Sequence, residues 1–175
     1  CPECYMTLKV HYPAVVGDLG FEVLHISEYL VKNEGKIAFE RSSEAVTYHD
    51  GCILGRFMNV HDQPRRLLND VTMELREMEK VKDASPCCGV TSWTTCTPTA
   101  RAMQVDRLRE ARGTGVKKLI TSCPKCMIHF KCALHGQLPI DKSTVDIDIE
   151  DMSTFVDEHS QSAKASEDAE GRNIA

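Results

Sequence analysis

Two cysteines stand side by side, Cys87 and Cys88, in the stretch "DASPCCGVTSW". A disulfide between sequence neighbours would close a small ring far from relaxed bridge geometry. Adjacent thiols are also poor core filler. The pair therefore restricts the chain to folds in which both sulfurs point at something that needs them together. Nine cysteines are present in 175 residues: Cys1, Cys4, Cys52, Cys87, Cys88, Cys96, Cys123, Cys126 and Cys132. An odd count, a CC pair and two CxxC pairs argue for metal ligation in a reducing cytosol over a disulfide-stapled secreted domain.

The spacing is regular. Thirty-four residues separate Cys52 from Cys87, and thirty-four separate Cys88 from Cys123, giving C-x34-CC-x34-CxxC. The last pair also has an echo. "CPECYMTLK" (1–9) aligns with "CPKCMIHFK" (123–131) at an offset of 122, with Cys1/Cys123, Pro2/Pro124, Cys4/Cys126 and Lys9/Lys131 identical. Val23 pairs with Val145 and Glu28 with Glu150 at the same offset. The chain thus reads as the tail of one unit (1–36), a complete unit (37–159) and a polar stretch (160–175) without apolar periodicity, expected to be a disordered tail. Opening on "CPEC" without Met, it reads as a piece of something longer.

Within the complete unit, "EAVTYHDGC" (44–52) is expected to be a strand ending in a loop at Cys52. "QPRRLLNDV" (63–71) is a short helix with Pro64 in its first turn, and "TMELREME" (72–79) alternates like a strand. "PTARAMQVDRLREARGTG" (98–115) is an amphipathic helix with Ala102, Val105, Leu108 and Ala111 or Arg112 on its apolar side, stopped by Gly113 and Gly115. "VKKLITSC" (116–123) is a strand delivering Cys123, and "PKCMIHFKCALHG" (124–136) a helix. "FEVLHISEYL" (21–30) and "VDIDIEDMSTFV" (145–156) each read as a strand running into a helix. Alternating β and α segments predict a layered α/β fold of βα repeats with a mostly parallel sheet. In such sheets the carboxyl ends of the strands gather on one edge, where ligands bind. Cys52, Cys87, Cys88, Cys123 and Cys126 all fall at or just past such ends.

Composition excludes other classes. Hydrophobic residues at 42% and charged ones at 27% are ordinary for a soluble globular protein. A net charge of −5 without a basic cluster is a poor match for nucleic acid. No apolar run approaches the roughly 20 residues of a membrane span, so any membrane contact would come through a partner. Zinc takes four ligands in a tetrahedron and leaves a fifth thiolate over, whereas a multi-iron cluster can use adjacent thiolates on different irons. The helix beginning at Pro124 would add N-terminal N–H groups near Cys126, favourable to a negatively charged thiolate cluster. Both metals remain open on spacing alone.

The segments "TYHDGC", "PCCG" and "TSCPKC", in this order, resemble the cysteine-rich CCG domain of the heterodisulfide reductase catalytic-subunit family, over residues 44–135. Residues 1–30 resemble the close of a preceding copy. The resemblance implies an oxidoreductase subunit. It also implies a noncubane [4Fe-4S] cluster held by Cys52, Cys87, Cys88, Cys123 and Cys126, with Cys87 and Cys88 at the chemistry. Disulfide reduction and electron relay are the two roles it allows. No flavin or nicotinamide fingerprint is present, so electrons would arrive from flavin- or iron–sulfur-containing partner subunits in the cytoplasm. Some related copies hold zinc, and a zinc-binding structural or assembly module is the alternative. The chain departs from the family in two places: Gly51 replaces the Pro of "HDPC", and "VTSWTTC" follows CCG where the family runs on in glycines.

Around this set, Cys96 and Cys132 are expected to be small buried residues. Trp93 either lines a pocket or caps the core. His49 and Asp50 either form a structural turn or hydrogen-bond to cluster sulfur. Cys1 and Cys4 belong to the preceding copy and need bind nothing in this chain.

Overall fold

The computed structural model describes residues 1–90, 97–135 and 142–161. The expectations for Trp93, Cys96 and residues 162–175 lie outside these. A helical run opens the chain: α1 (Pro2–Met6), a π-helical stretch (Thr7–His11) and α2 (Tyr12–Val16). Then follow α3 (Ile26–Lys32), β1 (Ala38–Phe39), β2 (Ala45–His49), a π-helical turn (Ile53–Phe57), α4 (Asp62–Val71) and β3 (Glu74–Leu75). The remainder is α5 (Pro98–Gly113), β4 (Lys118–Thr121), α6 (Pro124–His135), β5 (Asp148–Asp151), α7 (Met152–Glu158) and β6 (Ser160–Gln161). Among the described residues no helix is long and apolar enough to cross a membrane.

The sheet has the order β3-β2-β4-β5 and every pairing in it is parallel. The layered α/β expectation holds. The central strands "AVTYH" and "KLIT" are buried nearly throughout, as strands covered on both faces must be. Leu119 and Ile149 face the layer containing α5 and α6, with Val105, Leu108 and Phe130. Val46, Tyr48 and Ile120 face the layer containing α4 and α7, with Leu67, Leu68 and Phe155. Thr97 caps α5 by accepting from the Ala100 N–H at 3.1 Å, and Pro98 fills the first turn, where no amide donor is needed.

Four expectations change in detail. Only Glu74–Leu75 of the 72–79 stretch pairs as a strand. Beyond it the chain is drawn towards α5, where Lys80 N–H donates to Glu110 at 2.6 Å and Arg107 donates to the Lys80 carbonyl at 2.9 Å. Residues 21–25 run into α3 as expected but pair with no strand among the described residues. Ala102 and Arg112 lie off the core side, because the buried side of α5 is Ala100, Gln104, Val105, Arg107, Leu108 and Ala111. Cys132 is exposed rather than core, since α6 buries Cys126, Phe130 and Ala133 and this phase turns position 132 outward.

The N-terminal segment packs onto the complete unit. Tyr5 is buried against Leu54 and Val60 of the π-helical region, and Leu30 and Val31 of α3 join the α4–α7 layer. The stretch expected to be a tail opens with β6, which pairs antiparallel with β1.

Two substitutions test this layering. Leu119→Ala, at a fully buried position of β4, should cost roughly 2–5 kcal/mol in urea unfolding. Cys132→Ser should stay within about 0.5 kcal/mol of the parent.

Candidate metal centre

The register of the two central strands sets the site. His49 of β2 lies opposite Thr121 of β4, so the strands end level and the Cys52 and Cys123 loops leave the sheet side by side. Gly51 sits in the gap between them. A Cβ there would lie 3.2 Å from Cys123 Cβ and 3.9 Å from Cys126 Sγ, so the bare backbone gives close approach to the CxxC turn. A side chain here, such as the proline of the "HDPC" pattern, would need Cys123 to give by a few tenths of an ångström.

The second loop is tied to the first through Asp50. Its carboxylate accepts a fork of two hydrogen bonds from Arg65, both 2.8 Å, and one from the Lys82 amide at 2.8 Å. Its carbonyl accepts from Ser85 Oγ at 3.1 Å. Burial by itself would raise this carboxyl, but the Arg65 fork and the Lys82 amide hold it below the ordinary range. Asp50 is therefore the structural turn of the two expected alternatives, and it anchors the residues leading into Cys87. Tyr48 and Ser122 hydroxyls meet at 2.9 Å, joining β2 to the third loop, and His129 Nδ1–H donates to the Cys88 carbonyl at 2.9 Å.

Gly89 fixes the direction of the vicinal pair. Its φ is +88°, a left-handed conformation that side chains rarely adopt, and a Cβ would fall 2.5 Å from the Ala100 carbonyl oxygen. Only glycine lets the chain turn away after Cys88 while touching the start of α5.

The structure brings together all five cysteines named from the sequence. Cys52 hydrogen-bonds Cys87, Cys87 neighbours Cys88, Cys88 reaches Cys126, and Cys126 reaches Cys123. Every described cysteine is free of disulfide bonding, and Cys1 and Cys4 are exposed. Backbone amides point at the sulfurs: Gly89 N–H at Cys87, Val90 N–H at Cys88, and Lys125 and Cys126 N–H at Cys123. The last two belong to the first turn of α6, where helix N–H groups lack intrahelical partners.

Charge in this group is crowded. Hydrogen bonds from Cys52 and Cys88 pull the Cys87 thiol down to about 2, and the bond from Cys126 lowers Cys123. Their partners go the other way. The Cys87 bond and burial raise Cys52, and the Cys123 and Cys88 bonds raise Cys126. Cys88 is pushed up to about 12, its bond from Cys126 outweighed by Cys87 and burial. Metal-free, the group shifts negative charge towards Cys87 and Cys123 and away from Cys52, Cys88 and Cys126. All five can be thiolates only around a positive centre, so the donor set fits a soft, multiply charged metal site.

One flank of the site is dry. Cys88, Cys123 and Cys126 are buried, while Cys52 and Cys87 are half-buried and form its accessible edge. His49 is fully buried, and one ring nitrogen lies within 4.8 Å of the sulfurs of Cys88 and Cys126. Burial, reinforced by the Arg107 cation, pushes the imidazole down to about 3, so it is neutral.

This arrangement matches a known family. The profile of the CCG cysteine-rich domain covers residues 46–131. The chain belongs to the CCG cysteine-rich domain family. It is 33% identical to a component of the dihydromethanophenazine:CoB–CoM heterodisulfide reductase of Methanosarcina acetivorans, over 89% of this chain and 38% of that protein. It is 33% identical to the EtfAB:quinone oxidoreductase of Syntrophomonas wolfei, over 73% of this chain and 19% of that one. A probable iron-sulfur-binding oxidoreductase of Bacillus subtilis is 34% identical over 72% of this chain and 18% of its own length. The chain thus spans well under half of these relatives. No solved structure matches it significantly.

Sequence reasoning passed over Arg65, Ser85, Arg107 and His129, which hold the cysteine loops of this CCG domain in place. A signal existed for Arg107: Gln104, Arg107, Leu108 and Ala111 recur at core spacing, so two polar residues stand on the buried face of α5.

Two variants test the scaffold. Arg65→Ala leaves the buried Asp50 carboxylate without its fork and should cost roughly 3–5 kcal/mol in chemical unfolding. Gly89→Ala should cost at least about 2 kcal/mol, through the left-handed backbone and the contact with Ala100.

Proposed function

We propose that this CCG domain is the iron–sulfur-binding part of a heterodisulfide-reductase-like oxidoreductase. In this reading Cys52, Cys87, Cys88, Cys123 and Cys126 hold a noncubane [4Fe-4S] cluster. The observation that carries it is the unbroken chain of five thiols at one sheet edge, met by four backbone N–H groups. Hydrogen-bonded thiolates of this kind are what iron–sulfur centres use. A single tetrahedral zinc would leave one sulfur without a role.

When bound, the cluster supplies one-electron chemistry at sulfur. The chain's own residues do the rest. Gly89, Val90, Lys125 and Cys126 amides stabilise negative charge on the thiolates. Asp50, Arg65 and Ser85 fix the spacing of the first two loops. The half-buried edge formed by Cys52 and Cys87 is the side on which a disulfide sulfur or a partner's redox group can approach, and Cys87 with Cys88 carries the chemistry there. Electrons come from a partner subunit bearing flavin or iron–sulfur centres, in the reducing cytoplasm that free thiolates require. Relatives named as a heterodisulfide reductase component and an EtfAB:quinone oxidoreductase support membership in such complexes.

Anaerobic reconstitution of the full protein tests this directly. Iron and acid-labile sulfide should bind in about equal amounts, with visible absorption and an EPR signal in one redox state. Cys87→Ser and Cys88→Ser should lose or change the cluster, because serine oxygen is a harder donor, while Cys132→Ser should keep it. A colourless protein holding zinc alone would show the site to be structural.

A further inference from the structure

His49 is the last residue of β2 and one of the buried polar groups that line the thiol cluster. Arg107 Nε donates to its Nδ1 at 3.1 Å. A guanidinium has only donors and stays protonated in proteins, so Nδ1 must be the acceptor in this pair. A neutral imidazole accepting at Nδ1 carries its proton on Nε2. That nitrogen is buried and has no hydrogen-bond partner among the described residues. A buried donor without a partner is rare enough to require a reason. The sulfurs of Cys88 and Cys126 lie within 4.8 Å of one of the two ring nitrogens, and Nδ1 is already taken by Arg107.

The surroundings keep the ring in this state. Arg107 is itself fully buried and directs its remaining donors to the Lys80 carbonyl (2.9 Å), Glu110 (2.7 Å) and Ser85 Oγ (3.1 Å). Phe130 packs its ring edge-on against the imidazole, with centroids 5.0 Å apart. Metal ligation through Nε2 would need a lone pair there and a proton on Nδ1, and that proton would face the Arg107 N–H.

We propose that Arg107, acting through His49, fixes an N–H donor aimed at the sulfur around Cys88 and Cys126, so that His49 tunes the reduction potential of the cluster and does not ligate it. This rests on the iron–sulfur reading above. A hydrogen bond to cluster sulfur favours the more negative, reduced state and raises the potential. His49 touches the cofactor, whereas Arg107 is a positioning residue.

Two measurements decide it. Long-range ¹H–¹⁵N correlation on reduced, metal-free protein should show His49 protonated at Nε2, with the Nδ1-protonated form appearing in Arg107→Met. In anaerobically reconstituted protein, His49→Leu should keep the iron and sulfide content of the parent but titrate at a lower midpoint potential. His49→Gln, whose amide N–H reaches a similar place, should recover most of the shift. Iron lost from both His49 variants would make His49 a ligand and overturn the proposal, as would an Nδ1–H tautomer in the parent. An unchanged potential in His49→Leu, with iron bound, overturns the proposal alone. A parent protein that takes up no iron overturns the underlying reading first, and its metal content tells the two failures apart.

Discussion

The level ending of β2 and β4 is the constraint on which the site depends. Parallel pairing puts His49 beside Thr121, and the chain that leaves each strand reaches a cysteine within three residues. A one-residue slip of β2 would turn Val46 and Tyr48 from the α4–α7 layer to the other face, because side chains alternate along a strand. The same slip would move Cys52 away from Cys123 by about 3.3 Å, the rise per residue. Core packing and ligand placement are therefore enforced by one register. The vicinal pair has no long strand to fix it, since β3 contributes only Glu74–Leu75. Its position is set instead by polar staples to Asp50, Arg107 and His129.

Those staples explain why so many charged groups are buried near a cluster of thiols. Arg65 and Asp50 form one neutralised pair, and Arg107 and Glu110 form another. Each costs desolvation energy and would be a weak contributor to stability taken alone. What each provides is direction. Asp50 joins the loop of Cys52 to the residues before Cys87, and Arg107 joins the same residues to His49. The sulfurs then meet fixed amide donors in a site closed on the side of Cys88, Cys123 and Cys126.

The parts legible in the sequence were those with local signatures. Apolar runs at 45–49 and 118–121, the prolines opening α5 and α6, and the Cys spacing together reveal the α/β fold and the five-thiol convergence. Tertiary pairs had no such signature. Arg107 and His49 are 58 residues apart, and nothing local says that a helix arginine turns inward to a strand end. Cys132 was misjudged because a 12-residue helix leaves its phase open by one position: Cys126, Phe130 and Ala133 fix it only once packed. The alternation in 72–79 was real, but side-chain periodicity does not reveal whether a neighbouring strand is present, and α5 captured the backbone instead. Residues 21–25 show the same limit, an extended segment without an edge to join.

Of the two departures from the family pattern, Gly51 lies among the described residues, and all but the first residue of "VTSWTTC" lie outside them. A Cβ on Gly51 would lie 3.2 Å from Cys123 Cβ, so the first loop passes close against the CxxC turn. Thiolates gathered at one edge repel one another, which raises the demand for compensating positive charge and N–H donors. The α6 amides, the Gly89 and Val90 amides and the buried His49 stand where that demand is highest. On the iron–sulfur reading, the accessible side is left to Cys52, next to Gly51, and to Cys87, the member of the vicinal pair that meets it. Gly51 precedes Cys52 and lies against Cys123 and Cys126, so the accessible edge of the site and its buried flank meet at a residue that bears no side chain.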